Sequence, residues 1–137
     1  MYFVDTNVLV YAVDSTEPSK RAAANAFLMD ASVRIVLSAQ VLGEFYVTLR
    51  RRFSAEFTPA QVRRLTMSLA NRVVLPIDAE LASRAMRTVE EHRLSYWDAL
   101  IVESAAEAGC DRLATEDLQS GAVIRGVEIW NPFADVA

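Results

Sequence analysis

Short β-branched and aliphatic runs alternate with helical patterns along the whole of this 137-residue sequence, and almost no hairpin signal lies between them. Tyr2 to Asp5 is a short β-like run, and Asn7 to Val13 reads as a helical turn. Pro18 to Ala31 reads as a helix, with Pro in the first turn and an Ala-rich body. Val33 to Leu37 reads as a strand, and Ser38 begins a helix to about Arg52. Thr58-Pro59-Ala60-Gln61 combines an N-cap, a Pro at the first helical position and a Gln three residues on; that helix is expected to end near Asn71. Arg72 to Pro76 is the next strand, and Asp78 caps a helix to about His92. Ser95 begins another helix, which Gly109 ends as a C-terminal cap, and Asp111–Ala114 and Val127–Trp130 read as the final strands. Such alternation predicts an α/β sandwich, with a mainly parallel sheet of about five strands and helices on both faces. No Pro/Gly/Ser-rich linker or internal repeat divides the sequence, so one domain over 1–137 is expected.

Composition narrows the chemistry. The chain is 53% hydrophobic, 23% charged and carries a net charge of −4, enough apolar material for an independent core. No apolar run approaches the roughly 18 residues of a membrane span. The opening Met1-Tyr2-Phe3-Val4-Asp5 lacks a basic stretch and interrupts its apolar run with an acid, so no export signal is visible. A lone Cys110 cannot form an intrachain disulfide, and a cytoplasmic protein is expected. With one His (His92) and one Cys, zinc sites built from Cys and His are excluded, as is two-histidine hydrolysis of RNA. Cys110 follows Gly109 at a helix end and reads as a small buried hydrophobe. Glycine-rich nucleotide-binding loops are absent. Carboxylates are plentiful, with 18 Asp and Glu, so any catalysis falls to acids and a hard, oxygen-liganded metal ion. Lys20 is the only lysine and every other basic side chain is Arg. Arg suits phosphate oxygens, while an Arg-biased genome accounts for the same bias. The acidic total argues against a protein that coats DNA.

Several acids stand where charge is expensive. Asp5 lies between Tyr2-Phe3-Val4 and Val8-Leu9-Val10, at the carboxyl end of the first strand, where open α/β sheets bind ligands. The same residue would cap the following turn with no ligand at all. Asp98 falls inside the apolar arc of Leu100, Ile101, Val102 and Ala105, whereas Glu103 and Glu107 fall outside it, where solvated charges belong. Ser95-x-x-Asp98 also has capping-box spacing, and the two roles are compatible. Glu44 borders the stripe of Val41, Phe45 and Leu49, beside an interior Gly43 that close packing or close ligand approach would explain. Leu113-Ala114-Thr115-Glu116-Asp117 is a short apolar run that releases a polar cluster, or simply a turn. Taken together, Asp5, Asp98 and Asp117 would meet at one sheet edge, with Glu44 approaching from a flanking helix. A divalent cation is the simple way to make such a cluster tolerable.

These fragments resemble the PIN-domain nucleases, in particular the VapC-type toxins of bacterial toxin–antitoxin pairs, over essentially the whole chain. The resemblance rests on Asp5-Thr6-Asn7-Val8-Leu9, Glu44, Asp98-Ala99-Leu100-Ile101, Thr115-x-Asp117 and the ending Gly126-Val127-x-Ile129-x-Asn131-Pro132-Phe133. Glu116-Asp117-Leu118 departs from the family, which more often shows a second acid or a Phe shortly after the first loop acid. The resemblance implies a Mg²⁺- or Mn²⁺-dependent endoribonuclease with Asp5 and Asp98 as principal metal ligands. It implies that Glu44 and Asp117 complete the acidic pocket, directly or through waters, with Thr6, Asn7 and Thr115 in support. A homodimer and a small antitoxin partner that obstructs the pocket are implied as well.

Arg50-Arg51-Arg52 ends the helix that carries Glu44, and Arg63-Arg64 lies on the next. The triplet would grip RNA phosphates, or would merely complement the helix dipole. Other readings are an RNA-binding PIN-like module without catalysis and a structure-specific DNA nuclease. A receiver-type phosphotransfer domain needs a Lys near the acids, and the only one, Lys20, lies in an early helix. A HAD-like enzyme needs an acid two residues after its nucleophile, where this chain has Asn7.

Overall fold

The sequence supplies β-branched and aliphatic runs too short to stand alone, and they pair into one sheet. The computed structural model describes residues 1–136; Ala137, the last residue of the expected domain, lies outside the described residues. The strands are β1 (Tyr2–Val4), β2 (Ile35–Ser38), β3 (Val73–Leu75), β4 (Arg112–Ala114), β5 (Val123–Ile124) and β6 (Val127–Trp130). Their order across the sheet is β3-β2-β1-β4-β6-β5, all parallel except the β5–β6 pair. Phe3, Val4, Val36, Leu37, Leu113 and Ala114 are buried in the three central strands, as expected where both sheet faces are covered. The chain builds outward from β1 through β2 to β3, then crosses to the other side of β1 to lay down β4. This reversal puts a crevice beyond the carboxyl ends of β1 and β4.

The helices are α1 (Thr6–Tyr11), α2 (Pro18–Leu28), α3 (Ala39–Arg52), α4 (Pro59–Leu69), α5 (Ala79–His92) and α6 (Tyr96–Glu107). Each start is chemically marked. Ser38 accepts from the Val41 amide, Thr58 and Gln61 form a reciprocal capping box with Pro59 behind it, Asp78 accepts from Leu81, and Ser95 from Asp98. On α3, Val41, Phe45 and Leu49 recur at helical spacing and are buried, which orients the helix on the core. Helix α6 is buried from Ala99 to Ala105 and touches β1, β4 and β6, so it is a core element. Helices α1 to α4 pack on one another and α5 packs on α6, giving two helical groups that flank the sheet. No helix among the described residues is long and apolar enough to cross a membrane.

Three expectations change. Helices α2 and α4 stop at Leu28 and Leu69, short of Ala31 and Asn71. The sheet gains a sixth strand, β5, through a two-residue hairpin in which Arg125 (φ 53°) and Gly126 (φ 78°) both take positive φ. Those dihedrals suit the right-handed twist of a tight hairpin, and an Arg in that place hides the signal that Asn-Gly would give. Glu103, expected in solvent, is only 2% exposed. The carboxylate accepts from Thr88 Oγ1 and, at 2.7 Å, from Arg125 Nε, while Arg84 Nε lies 4.0 Å away. Helix α5 and the hairpin thus cover the face of α6 that the helical wheel left to water.

Candidate active site

Strand β1 ends at Val4, and the next residue, Asp5, turns the chain into α1. Its Oδ1 accepts from the Thr6 amide at 2.7 Å, the expected cap. Its Oδ2 accepts from Thr115 Oγ1 at 2.8 Å, across the β1–β4 junction. The cap therefore uses one carboxylate oxygen and a tertiary contact the other. Burial is the main cause that pushes Asp5 up to about 6, opposed by its bonds from Thr115 and Thr6 and reinforced by Asp117 and Glu44.

The other acids meet the same region from different elements. Glu44, from the middle of α3, accepts from Thr6 Oγ1 at 2.9 Å and from Gln40 Nε2 at 2.8 Å. Asp117, on the loop after β4, accepts from Asn7 Nδ2 at 2.9 Å. Half-buried Asp98 lies in the first turn of α6, its amide bonded to Ser95 Oγ. Burial raises the Asp98 carboxyl as well, countered by Ser95, and then Asp117 and Glu44 add repulsion. Asp117 and Glu44 thus act on both Asp5 and Asp98, which brings all four acids into one electrostatic neighbourhood. Asn7 and Thr115 hold the loop in place: Asn7 Nδ2 also reaches Thr115 Oγ1 at 3.2 Å, and the Asp117 amide donates to Thr115 Oγ1 at 3.1 Å.

A groove of about 750 Å³ is lined among others by Thr6, Asn7, Glu44 and Asp117, while Asp5 and Asp98 are not among its lining residues. Arg51 and Arg52 line it too, whereas Arg50 points to Tyr46 Oη at 3.0 Å and does not. Arg52 lies 3.8 Å from the buried Asp14 carboxylate. Arg63 and Arg64 are not among the groove residues. A Cβ built on Gly43 would meet nothing within 4 Å, so close packing does not account for that glycine; it stands on the groove wall.

Nothing in the sequence pointed to a role at this site for Gln40, Trp97 or Tyr11, and Lys20 looked remote from it. Gln40 precedes Glu44 by one helical turn, a spacing that marks interacting side chains. Its amide also donates to the Trp97 carbonyl at 3.3 Å, while its Oε1 is buried without a hydrogen-bond partner. Trp97, beside Asp98, lines the groove. Tyr11 Oη donates to Glu116 Oε1 at 2.6 Å, and Lys20 Nζ bonds to Glu116 Oε2 at 3.0 Å and to Tyr11 Oη at 3.2 Å. The only lysine is therefore nearer the acids than its place in the sequence suggested. It is held by Glu116 and Tyr11, not by Asp5, Asp98 or Asp117.

Among the described residues, no three His, Cys, Asp or Glu side chains already stand in chelating geometry. Thr6 and Gln40 donate to Glu44, Asn7 to Asp117 and Thr115 to Asp5. The donor set nevertheless consists of carboxylate oxygens with hydroxyl and amide neighbours. Such a set suits a hard cation that keeps several of its waters, and it does not suit a soft or thiolate-seeking metal.

The fold agrees with sequence and structure comparisons. VapC20 of Mycobacterium tuberculosis, a Sarcin-Ricin loop cleaving toxin, shares 18% identity over 85% of this chain and 92% of its own, with a TM-score of 0.69. A toxin–antitoxin complex from Klebsiella pneumoniae matches at 23% identity, over 93% and 95% of the two chains, with a TM-score of 0.67. FitAB bound to an IR36 DNA fragment matches at 20% identity, over 97% and 96%, with a TM-score of 0.70. At these identities the likeness is one of fold. No curated protein matches the sequence significantly. The family model of the PIN domain matches residues 2–122, across β1 to the loop before β5 and through all four acids, and the chain belongs to the PIN domain family.

Proposed function

We propose that this protein is a metal-dependent endoribonuclease acting as the toxin of a toxin–antitoxin pair. The observation that carries the reading is the buried Asp5, pushed up to about 6 beside Asp117 and Glu44, which also repel Asp98. A buried carboxyl so far from its ordinary range at the switch point of an α/β sheet marks a functional group. Asp5 and Asp98 would hold Mg²⁺ or Mn²⁺, with Glu44 and Asp117 binding it directly or through waters. When bound, such an ion polarises a phosphoryl oxygen and lowers the pKa of water. Thr6 and Thr115 orient the Glu44 and Asp5 carboxylates, and Asn7 orients Asp117. Arg51 and Arg52 supply positive charge along the groove for phosphates.

RNA as substrate is supported by the described activity of VapC20, and an antitoxin partner by the Klebsiella complex. Two further structures of similar fold are VapBC complexes bound to DNA; in this reading the protein is a homodimer that meets promoter DNA together with its antitoxin. The net charge of −4 fits that division of labour, because the chain alone lacks the charge to coat DNA. A cytoplasmic location is part of the same reading. The test is incubation of purified protein with labelled RNA and DNA, with and without Mg²⁺. RNA cleavage that needs Mg²⁺ and disappears in Asp5→Asn and Asp98→Asn supports the reading; cleavage that persists in EDTA, or that takes only DNA, refutes it.

A further inference from the structure

Trp97 is 62% exposed at the second position of α6 and belongs to neither of the hydrophobic clusters that fill the protein. Its neighbour Tyr96 packs into the smaller cluster and meets the indole edge-on, 4.9 Å between centroids at 75°. The Trp97 carbonyl accepts from Gln40, whose amide also donates to Glu44. One side chain thus ties the indole's backbone to an acid of the site. Burial, packing and hydrogen bonding therefore explain where the ring is held and leave most of it open to solvent. The ring shares its groove with charge: Arg51 and Arg52 line the same cavity, as does Val47, another large apolar side chain left 54% exposed.

We infer that Trp97 is a stacking platform for an unpaired nucleobase of the RNA substrate, next to the phosphate that is cut. The inference rests on the ribonuclease reading and names the side chain that would receive a base beside the site. A base in a duplex is already stacked on its neighbours, and only a splayed base offers a free face to an indole. Stacking of this kind tolerates any base, while the guanidinium groups hold the backbone, so the pair of features selects single strands without reading sequence. A positive wall and an exposed ring within one groove are the two halves of such a site.

The test measures binding of an oligouridylate of about ten nucleotides, which has little stacking of its own, in EDTA so that no cleavage intervenes. Expected are tighter binding of the single strand than of its duplex with oligoadenylate and a loss of about 5- to 150-fold in Trp97→Ala. Trp97→Leu should lose as much, because Leu keeps apolar cover but cannot stack, whereas Trp97→Phe should stay within about threefold. In Trp130→Phe, where Trp97 is the only indole, saturating oligouridylate should quench the emission. Wild-type affinity in Trp97→Leu, or an unquenched Trp97 at saturation, would overturn the inference. So would a variant that loses self-association in sedimentation while binding RNA unchanged, since the ring would then belong to a protein contact. Mg²⁺-dependent RNA cleavage by the wild type, measured in parallel, separates the two failures. If it is present while the Trp97 variants bind normally, only the stacking role falls; if it is absent, the nuclease reading falls.

Discussion

Thr115 and Asp5 are 110 residues apart in sequence and joined by a 2.8 Å hydrogen bond, because β1 and β4 lie side by side and in parallel register up to Val4 and Ala114. The hydroxyl serves three neighbours at once: it donates to Asp5 and accepts from Asn7 and from the Asp117 amide. It is the hinge pin between the acid at the end of β1 and the acid on the loop after β4. Thr115→Val keeps the shape and removes that hydroxyl. A loss of stability of about 1–3 kcal/mol in urea unfolding is expected, because buried partners are left unpaired. The Asp5 carboxyl should rise further, and Mg²⁺ affinity measured by calorimetry should fall.

The stability of metal-free protein should depend on pH through Asp5. Its carboxyl titrates at about 6 when folded, against an ordinary value of 3.8. Below about pH 4 both states hold the proton and there is no penalty. Between about pH 4 and pH 6 the unfolded chain ionises freely while the folded chain keeps its proton, so stability falls as pH rises, then levels off. The full drop is about 3 kcal/mol, from 1.36 kcal/mol per pKa unit. Denaturant midpoints measured across this range in EDTA should show the slope in wild type and lose most of it in Asp5→Asn. Mg²⁺ should stabilise the protein more at pH 7 than at pH 5, since the cation competes with the proton for the same oxygen.

The three consecutive arginines should prove unequal. Arg51 and Arg52 line the groove and Arg50 does not. Arg51→Gln combined with Arg52→Gln should weaken RNA binding and flatten its dependence on log salt by about 1.4, near 0.7 per lost contact with single strands. Arg50→Gln should leave both unchanged in the same fluorescence-anisotropy titration.

Glu103 is expected to matter for folding and not for cleavage. Its carboxylate is buried between Thr88, Arg84 and Arg125, away from the groove. Glu103→Ala should destabilise by about 3 kcal/mol, at the low end for a broken buried pair, because Arg125 is half exposed and can regain water. The folded fraction should cleave RNA at the wild-type rate.

Cys110 is buried and its thiol is pushed up to about 11 by burial. The native protein should therefore resist thiol alkylation at pH 8 and react fully after unfolding, as read by mass spectrometry.

Local signals wrote much of this fold into the sequence. Asp78, Ser95 and the Thr58–Gln61 box mark their helix starts because capping is a contact within one turn. Asp5 and Asp98 stand out because an acid within an apolar pattern violates the helical or strand period. What was hidden depends on contacts distant in sequence. Glu103 looks solvated on its own helix and becomes buried only when α5 and the β5–β6 hairpin close over it. That hairpin turns on Arg125, whose φ is positive and whose side chain bonds to the same Glu103, so neither feature is legible without the other. Of the two explanations open for Gly43, close packing falls away and the groove wall remains, whereas Lys20 seemed remote yet lies on Glu116.

In the proposed nuclease, Asp5 and Asp98, with Glu44 and Asp117 around them, would hold one kind of divalent cation. Calorimetric titration of metal-free wild type, Asp5→Asn and Asp98→Asn with Mn²⁺ at pH 7 tests it without recourse to substrate. Expected are saturable binding in wild type and at least a tenfold loss in each variant, since mutation even of the outer partners of metal ligands costs about tenfold or more. Equal binding by all three proteins would contradict it.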